Sequence, residues 1–217
     1  MKKEYQQLMK KRPEYFQNSE EPRSIFIYTD LDKIAEVEQK CHTSVGIMYQ
    51  DQYIYLLKDA VRHPNGKDGT YIRILYATEG VGVVMLPILL PTMEILLLSH
   101  YRHASRKTYL ELPRGFAEEG LTEEENVRKE VLEETGYQIT RMEYLGNLAG
   151  DTGMTGGEIK AYAVYLGGQM GTQDEKESVC GIRMVHVSEI QGMIRRGEIT
   201  EGYTLSVFAL AQAIGII

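Results

Sequence analysis

The spacing of apolar residues changes near residue 43 and separates a polar, helical arm from a region of short strands. In residues 1–42 the pattern is helical, and Asp30 is placed to cap a helix whose apolar residues follow it at helical spacing. Val, Ile and Tyr are then enriched in three segments, residues 44–50, 52–61 and 70–77. Residues 64–69, Pro-Asn-Gly-Lys-Asp-Gly, have the composition of a turn. This order predicts a small antiparallel sheet after the helical arm.

The rest of the chain alternates strands with helices. Residues 82–89 and 93–99 are strongly apolar, so we expect them to be central strands with both faces buried. Further strands are predicted at residues 109–112, 142–148, 158–166 and 181–187. Helices are predicted from Glu123 to Gly136, from a cap at Ser188 to near Gly197, and over residues 203–214. We therefore expect an α+β or α/β chain, divided into residues 1–77 and residues 78–217.

An acidic helix near the middle of the chain carries the clearest chemical signal. Thr122 followed by Glu125 is a capping-box pattern, and Gly136 stands where a helix would end. Glu130, Glu133 and Glu134 fall at i, i+3 and i+4, so their carboxylates share one face of the helix. They repel one another unless a cation lies between them, and oxygen ligands suit Mg²⁺. The alternative is an ordinary solvated acidic face.

Charge and composition narrow the function classes. The net charge of the 217-residue chain is −7, and nine of its 31 acidic residues lie between Glu111 and Glu134. The negative charge of such a chain repels the phosphates of nucleic acids, so general nucleic-acid binding is not expected. Metal ions can nevertheless join acidic side chains to a phosphate substrate. Cys41 and Cys180 form no C-x-x-C pair, and the first residues contain no apolar signal region. We expect a cytoplasmic protein with no membrane span.

The acidic helix and its flanks resemble the Nudix box, G-x5-E-x7-R-E-U-x-E-E-x-G-U, in which U is a bulky apolar residue. The matching residues are Gly115, Glu130, Val131, Glu133, Glu134, Gly136 and Tyr137. Two positions depart from the pattern: Leu121 replaces its first Glu, and Lys129 replaces its Arg. The chain is identified by this resemblance as a member of the Nudix superfamily, and the loss of both partners suggests a co-adapted brace.

Beyond the box, the chain resembles the ADP-ribose pyrophosphatase branch of that superfamily. The similar stretches are residues 59–64, 101–102 with 110–115, 173–177, and 197–210. The resemblance implies an α+β fold, an α/β/α sandwich around a mixed sheet, preceded by the N-terminal helical arm and small antiparallel sheet. It also implies a homodimer formed through residues 1–77, which would contribute residues to both substrate sites, and a Nudix catalytic domain at residues 78–217.

The resemblance also implies roles for particular residues. Glu130 and Glu134 would hold Mg²⁺, or Mn²⁺ in its place, together with the backbone carbonyl of Arg114. Glu133 would assist metal binding and catalysis, and Lys129 would steady the carboxylates without the bidentate fork of an arginine. In this branch the general base is commonly outside the box, and Glu175 is the predicted base, with Glu177 as a second ligand or alternative base. Arg102 would bind a substrate phosphate or form a structural salt bridge.

Two functions follow from these assignments. The first is a Mg²⁺-dependent pyrophosphohydrolase that cleaves the diphosphate of ADP-ribose, or of a related nucleoside diphosphate sugar, to a nucleoside monophosphate and a sugar phosphate. The second is a nucleotide-binding sensor with a degraded Nudix box. The intact Glu130, Glu133 and Glu134 favour the enzyme, whereas Leu121 and Lys129 favour the sensor.

Overall fold

The computed structural model describes residues 2–78, 80–168 and 178–217. The backbone divides into two compact units. The first unit contains residues 1–78 together with the short segment 151–157, and the second contains residues 79–150 and 158–217. In the described parts of the chain, no helix combines the length and the apolar composition that a membrane span requires.

The first unit is a small antiparallel sheet with helices that precede it in sequence. Its elements are α1 (Lys2–Lys11), a 3-10 helix (Pro13–Phe16), β1 (Phe26–Ile27), α2 (Leu31–Cys41), β2 (Gly46–Gln50), β3 (Ile54–Arg62) and β4 (Asp68–Tyr76). Strand β3 pairs with β4 along its whole length and with β1 and β2 on its other edge. Asp30 caps α2 by accepting the N–H of Lys33 at 2.9 Å. The predicted cap and antiparallel sheet are confirmed, and so is the helical arm, except that Phe26–Ile27 within it form strand β1 and pair with β3.

A buried polar cluster fastens α1 to this sheet. The hydroxyl of Tyr5, on α1, donates to Asp59 on β3, and the Nε of Arg73 on β4 donates to the other carboxylate oxygen at 2.6 Å. Asp59 is 1% exposed, and burial of the Tyr5 hydroxyl, followed by the negative charge of Asp59, raises the pKa of Tyr5. The Tyr5 ring also packs edge-on against Phe16. One carboxylate therefore joins the helix to two strands.

We expect Tyr5→Phe to destabilise the protein by about 2 kcal/mol, because it removes a buried hydrogen bond to a charged acceptor without changing the ring. Tyr49→Phe is the matched control. Its hydroxyl bonds Asp51 at 3.1 Å, but Tyr49 is exposed, so its loss should change stability by less than about 0.5 kcal/mol. Urea unfolding of both variants measures the difference. Equal effects would show that the buried bond contributes nothing beyond an exposed one.

The second unit is built on a mixed sheet. Its strands are β5 (Gly82–Leu89), β6 (Glu94–Arg102), β7 (Lys107–Glu111), β8 (Arg114–Gly115), β9 (Gln138–Ala149), β10 (Glu158–Gly167) and β11 (Val179–His186). The main order is β11-β6-β5-β10-β9. Strand β10 runs parallel to β5, whereas the other pairings of the described strands are antiparallel.

Strands β5 and β6 separate soon after their connecting turn. They pair only at Ile88 with Ile95 and at Leu89 with Glu94. Beyond this point β6 pairs with β7, and β5 pairs with β8. The segment that leads into the acidic helix therefore enters the middle of the sheet. This arrangement brings Glu111 and Arg114 beneath the helix.

Helices cover both faces of this sheet. They are α3 (Glu123–Thr135), α4 (Val187–Arg195) and α5 (Gly202–Ala213). Val127 and Val131 of α3 pack in a cluster with alternate residues of β5, Val83 and Met85. The intervening residues of β5 belong to a second cluster, which contains side chains of α4 and α5. The predicted α/β/α sandwich around a mixed sheet is confirmed, and so is the inward orientation of the two valines.

Two local predictions need correction. Ser188 does not cap α4; the helix begins at Val187 and its cap is His186, whose Nδ1 accepts the N–H of Ser188 at 3.2 Å. The imidazole nitrogen supplies the acceptor that a serine hydroxyl was expected to supply. Strand β8 was not predicted, because two residues carry no periodicity and its pairing depends on the separation of β5 from β6.

Candidate active site

The acidic helix α3 has the ends predicted for it. Thr122 Oγ1 accepts the N–H of Glu125 at 3.3 Å, and Glu125 Oε2 accepts the N–H of Thr122 at 2.8 Å. Gly136 ends the helix at φ 74°, in the left-handed region, and donates its N–H to Leu132. With both ends defined, the register of the intervening glutamates is fixed relative to the sheet.

Glu130 and Glu134 converge on strand β8, at Arg114 and Gly115. Glu134 is 2% exposed, and its Oε2 accepts the backbone N–H of Arg114 at 3.1 Å. Glu130 lies against Gly115 so closely that a Cβ at position 115 would be 1.9 Å from Oε1 of Glu130. A side chain at position 115 would therefore displace the Glu130 carboxylate from its present place. The structure brings together Arg114, Glu130 and Glu134 of the predicted set.

Glu133 is turned toward a different partner. Lys129 Nζ donates to Glu133 Oε2 at 3.0 Å and also to Glu118 Oε1. The bond to Glu118, and then that to Glu133, raises the pKa of Lys129. Leu121, at the position of the missing box glutamate, is an exposed apolar residue. Glu118, in the loop before the helix, thus supplies a carboxylate to Lys129. The predicted brace consists of the contacts that Lys129 makes with Glu118 and Glu133.

The brace predicts a pairwise coupling between Glu118 and Lys129. Because both side chains are more than a third exposed, we expect a coupling free energy of only about 0.5 kcal/mol in a double-mutant cycle with Gln at each position. Glu119→Gln in place of Glu118→Gln provides the matched control, since it removes the neighbouring charge. Unfolding measurements on the two cycles should give coupling in the first and none in the second. Equal coupling in both would indicate a general charge effect instead of a brace.

A second polar layer lies beneath the glutamates and was not predicted. Glu111 is fully buried at the end of β7 and accepts a hydrogen bond from Arg102 Nη2, while its Oε2 has no hydrogen-bond partner. His100 Nδ1 lies 3.4 Å from Glu111 Oε1 and 3.9 Å from Glu134 Oε1. The available signals in the sequence were a charged residue closing a strand and a histidine within an apolar strand.

Burial controls the charges in this layer. Burial raises the pKa of Glu111, and the positive charge of Arg102 partly opposes that shift. Burial and the charges of Arg102 and Arg114 lower the pKa of His100 to about 4. The imidazole is therefore neutral at pH 7, and its contact with Glu111 is not an ion pair. Arg102 remains the cation that balances Glu111.

The hydrogen bond to Glu111 indicates a structural role for Arg102. Its guanidinium is bonded to Glu111, which corresponds to the structural salt bridge, one of the two roles expected for it. Binding of a substrate phosphate by Arg102 stays a prediction. The predicted base, Glu175, and its alternative, Glu177, lie outside the described residues.

The donor set suits a hard cation only in part. Across residues 2–78, 80–168 and 178–217, no group of three or more His, Cys, Asp or Glu side chains is arranged to hold a metal ion. Glu130 and Glu134 are two such side chains, and the third predicted carboxylate, Glu133, is bound by Lys129. The two carboxylates and the backbone carbonyl of Arg114 are nonetheless all oxygen donors, as Mg²⁺ requires. Because Gly115 has no side chain, the Glu130 carboxylate can approach strand β8 closely.

The class of protein follows from the α/β/α sandwich, from strand β8 and from the glutamate-bearing helix α3. A model of the NUDIX domain matches residues 78–204, which is more than half of the chain. The chain belongs to the Nudix hydrolase family. The family and the enzyme class predicted from the box are confirmed.

Solved structures agree with the fold. The chain is similar to the crystal structure of an ADP compounds hydrolase, with a TM-score of 0.65 and 14% sequence identity. The alignment covers 78% of this chain and 90% of that one. At this identity the similarity concerns the fold alone. No curated protein sequence matches this chain.

Proposed function

We propose that this Nudix hydrolase is a Mg²⁺-dependent pyrophosphohydrolase that cleaves the diphosphate of ADP-ribose or of a related nucleoside diphosphate sugar. The products are a nucleoside monophosphate and a sugar phosphate. The observation that carries the proposal is the convergence of Glu130 and Glu134 on strand β8, at Arg114 and Gly115. The resemblance of the flanking segments to ADP-ribose pyrophosphatases supports the substrate class, as does the fold shared with an ADP compounds hydrolase.

Hydrolysis of a diphosphate requires neutralisation of the phosphate charges and a base for the attacking water. Glu130, Glu134 and the Arg114 carbonyl would hold Mg²⁺, or Mn²⁺ in its place, and the bound ion would supply that neutralisation. The N–H of Arg114 orients the Glu134 carboxylate by donating a hydrogen bond to its Oε2. The chain's own contribution is thus a set of fixed oxygen donors.

The remaining roles extend this proposal. Glu133, which accepts a hydrogen bond from Lys129, assists metal binding and catalysis. Glu175 accepts the proton of the attacking water, with Glu177 as the alternative base. Arg102 contributes positive charge near the substrate phosphates while it balances Glu111. The protein acts in the cytoplasm and binds no nucleic acid, in keeping with its acidic composition.

The second candidate is a nucleotide-binding sensor. It is favoured by the exposed Leu121, which leaves Lys129 to draw its carboxylate partner from Glu118. Turnover separates the two functions. ADP-ribose and a panel of nucleotide sugars are incubated with Mg²⁺ or Mn²⁺ and the products are separated; ADP-ribose should yield AMP and ribose 5-phosphate. Nucleotide binding without turnover, at any pH and with either ion, would reject the enzyme and support the sensor.

The first unit is proposed to mediate a two-fold homodimer through residues 1–77. Large apolar side chains of this unit are exposed, among them Tyr49, Tyr53 and Ile72, and exposed apolar surface is typical of protein interfaces. We expect light scattering at micromolar concentration to give twice the chain mass of 24.7 kDa. Ile72→Lys should shift the population toward monomer, whereas a monomeric wild type would reject the proposal.

A further inference from the structure

The first turn of α5 holds the segment that leads into the acidic helix. The backbone N–H of Leu112 donates to Thr204 Oγ1 at 3.0 Å. Leu112 is 1% exposed and Thr204 is fully buried, so no water competes for this bond. Buried N–H groups are nearly always paired, and here a side chain from α5 is the partner. Thr204 therefore accepts a hydrogen bond from the backbone two residues before strand β8.

Glu201, which caps α5, contacts both Thr204 and Arg114. Its Oε2 accepts both the N–H and the hydroxyl of Thr204 at 2.8 Å, which caps α5 and orients that hydroxyl. Its Oε1 lies 3.8 Å from Arg114 Nη1, and the guanidinium of Arg114 lies over the ring of Tyr203, 5.2 Å from the centroid. One carboxylate thus joins the helix cap, the Thr204 hydroxyl and the Arg114 side chain.

The rest of the segment is held from other directions. Pro113 has no N–H, and its carbonyl accepts the N–H of Met85 at 2.9 Å. The N–H of Arg114 donates to Glu134 Oε2. Side chains of α5 and α3 therefore bind the two N–H groups of residues 112–114, while β5 binds the intervening carbonyl. These bonds fix the peptide plane between Pro113 and Arg114, which directly precedes the Arg114 carbonyl along the backbone.

We infer that Thr204 and Glu201 are positioning residues of the active site, which act through the backbone of residues 112–114 on the Arg114 carbonyl and on Glu134. Neither residue touches the substrate in this assignment. The inference rests on the proposed function for its effect on metal binding and turnover. Its structural part, the fixing of residues 112–114, stands independently of that function.

The test compares Thr204→Val with Thr204→Ser. Valine has the shape of threonine but leaves the Leu112 N–H with no acceptor, whereas serine keeps the hydroxyl. Loss of a group that orients a metal ligand lowers metal affinity or activity by about 10–100-fold. We expect T204V to lose Mn²⁺ affinity and kcat in that range, and T204S to retain both. Glu201→Gln should give a loss at the lower end, because it keeps an acceptor for Thr204 but no charge for Arg114.

Ile190→Val is the control for general destabilisation. Ile190 lies on α4 in the same apolar cluster as the α5 side chains, and it makes no polar contact with residues 112–114. For each variant, Mn²⁺ affinity is measured by calorimetry on the full chain. Backbone order is measured without metal, as hydrogen–deuterium exchange of peptides that cover residues 110–116. T204V and E201Q should exchange faster there than I190V at matched stability, and if T204V does not fold, E201Q carries the comparison.

The outcomes separate this inference from the proposed function. Faster exchange with weaker Mn²⁺ binding in T204V, restored in T204S, supports it. Exchange equal to that of I190V, or wild-type Mn²⁺ affinity in T204V, overturns it. If the wild type binds no metal and cleaves no diphosphate, the proposed function fails. The exchange data alone then decide whether Thr204 and Glu201 fix residues 112–114.

Discussion

Glu134→Gln is expected to reduce kcat/KM for ADP-ribose by about 10³-fold or more and to remove the stabilisation of the protein by Mg²⁺. A catalytic metal contributes several kcal/mol of charge stabilisation, and about 4 kcal/mol corresponds to 10³ in rate. Glu134 is almost fully buried and its Oε2 is bonded to the Arg114 N–H, so the substitution removes one of the two carboxylates proposed to hold the metal. Glutamine retains the shape, which limits the disturbance of the fold.

Two measurements test this result. Wild type at a metal concentration of 100 times Kd should gain about 2.7 kcal/mol of stability, and Glu134→Gln should gain none. Glu124→Gln is the matched control, because Glu124 is exposed on the same helix and the change removes the same charge. It should bind Mg²⁺ and turn over ADP-ribose like the wild type. Equal and negligible metal effects in all three proteins would reject a metal site on α3.

The features that were predictable from the sequence are those with local causes. Thr122, Glu125 and Gly136 act within one or two helical turns, and the helix begins and ends where they place it. The spacing of Glu130 and Glu134 depends only on helix geometry. All strands except the two-residue strands β1 and β8 follow from apolar periodicity, and the ends of the predicted strands fall within a few residues of the expected positions.

The unpredicted features depend on contacts between distant segments. Leu112 and Thr204 are 92 residues apart, and no spacing in the sequence relates them. Glu111 is fully buried because the separation of β5 from β6 allows β7 to pair with β6, and no spacing in the sequence indicates this. Glu118 became the partner of Lys129 through the shape of the loop before α3, which has no periodic signal. Tertiary structure determined these three roles.

The strength of the Glu201 and Thr204 contacts bears on how the active site tolerates its unusual box. Lys129 holds Glu133 through an exposed brace, and exposed ion pairs contribute little free energy. Strand β8 is held instead by the partly buried bond from Arg114 to Glu134 and by the buried bond from Leu112, two residues earlier, to Thr204. Buried hydrogen bonds are costly to leave unmade. Loss of the arginine fork at position 129 therefore affects the less constrained side of the site.

Glu175→Gln is expected to lower kcat by about 10²–10⁴-fold, the usual cost of losing a general base. The metal affinity should remain near that of the wild type, because the ligands proposed for Mg²⁺ are Glu130, Glu134 and the Arg114 carbonyl. The two substitutions therefore differ in kind: Glu134→Gln loses binding and rate together, whereas Glu175→Gln loses rate alone.

Glu177→Gln is the matched comparison, two residues away in the same acidic segment. If Glu175 is the base, Glu177→Gln should retain most of the turnover, and the kcat of Glu175→Gln should lose the dependence on the ionisation of a carboxyl. A pH profile of kcat for the wild type and both variants measures this. Wild-type turnover by Glu175→Gln with an inactive Glu177→Gln would move the base to Glu177. Wild-type turnover by both variants would place the base outside this segment, where Glu133, held beside Lys129, is the remaining assigned carboxylate.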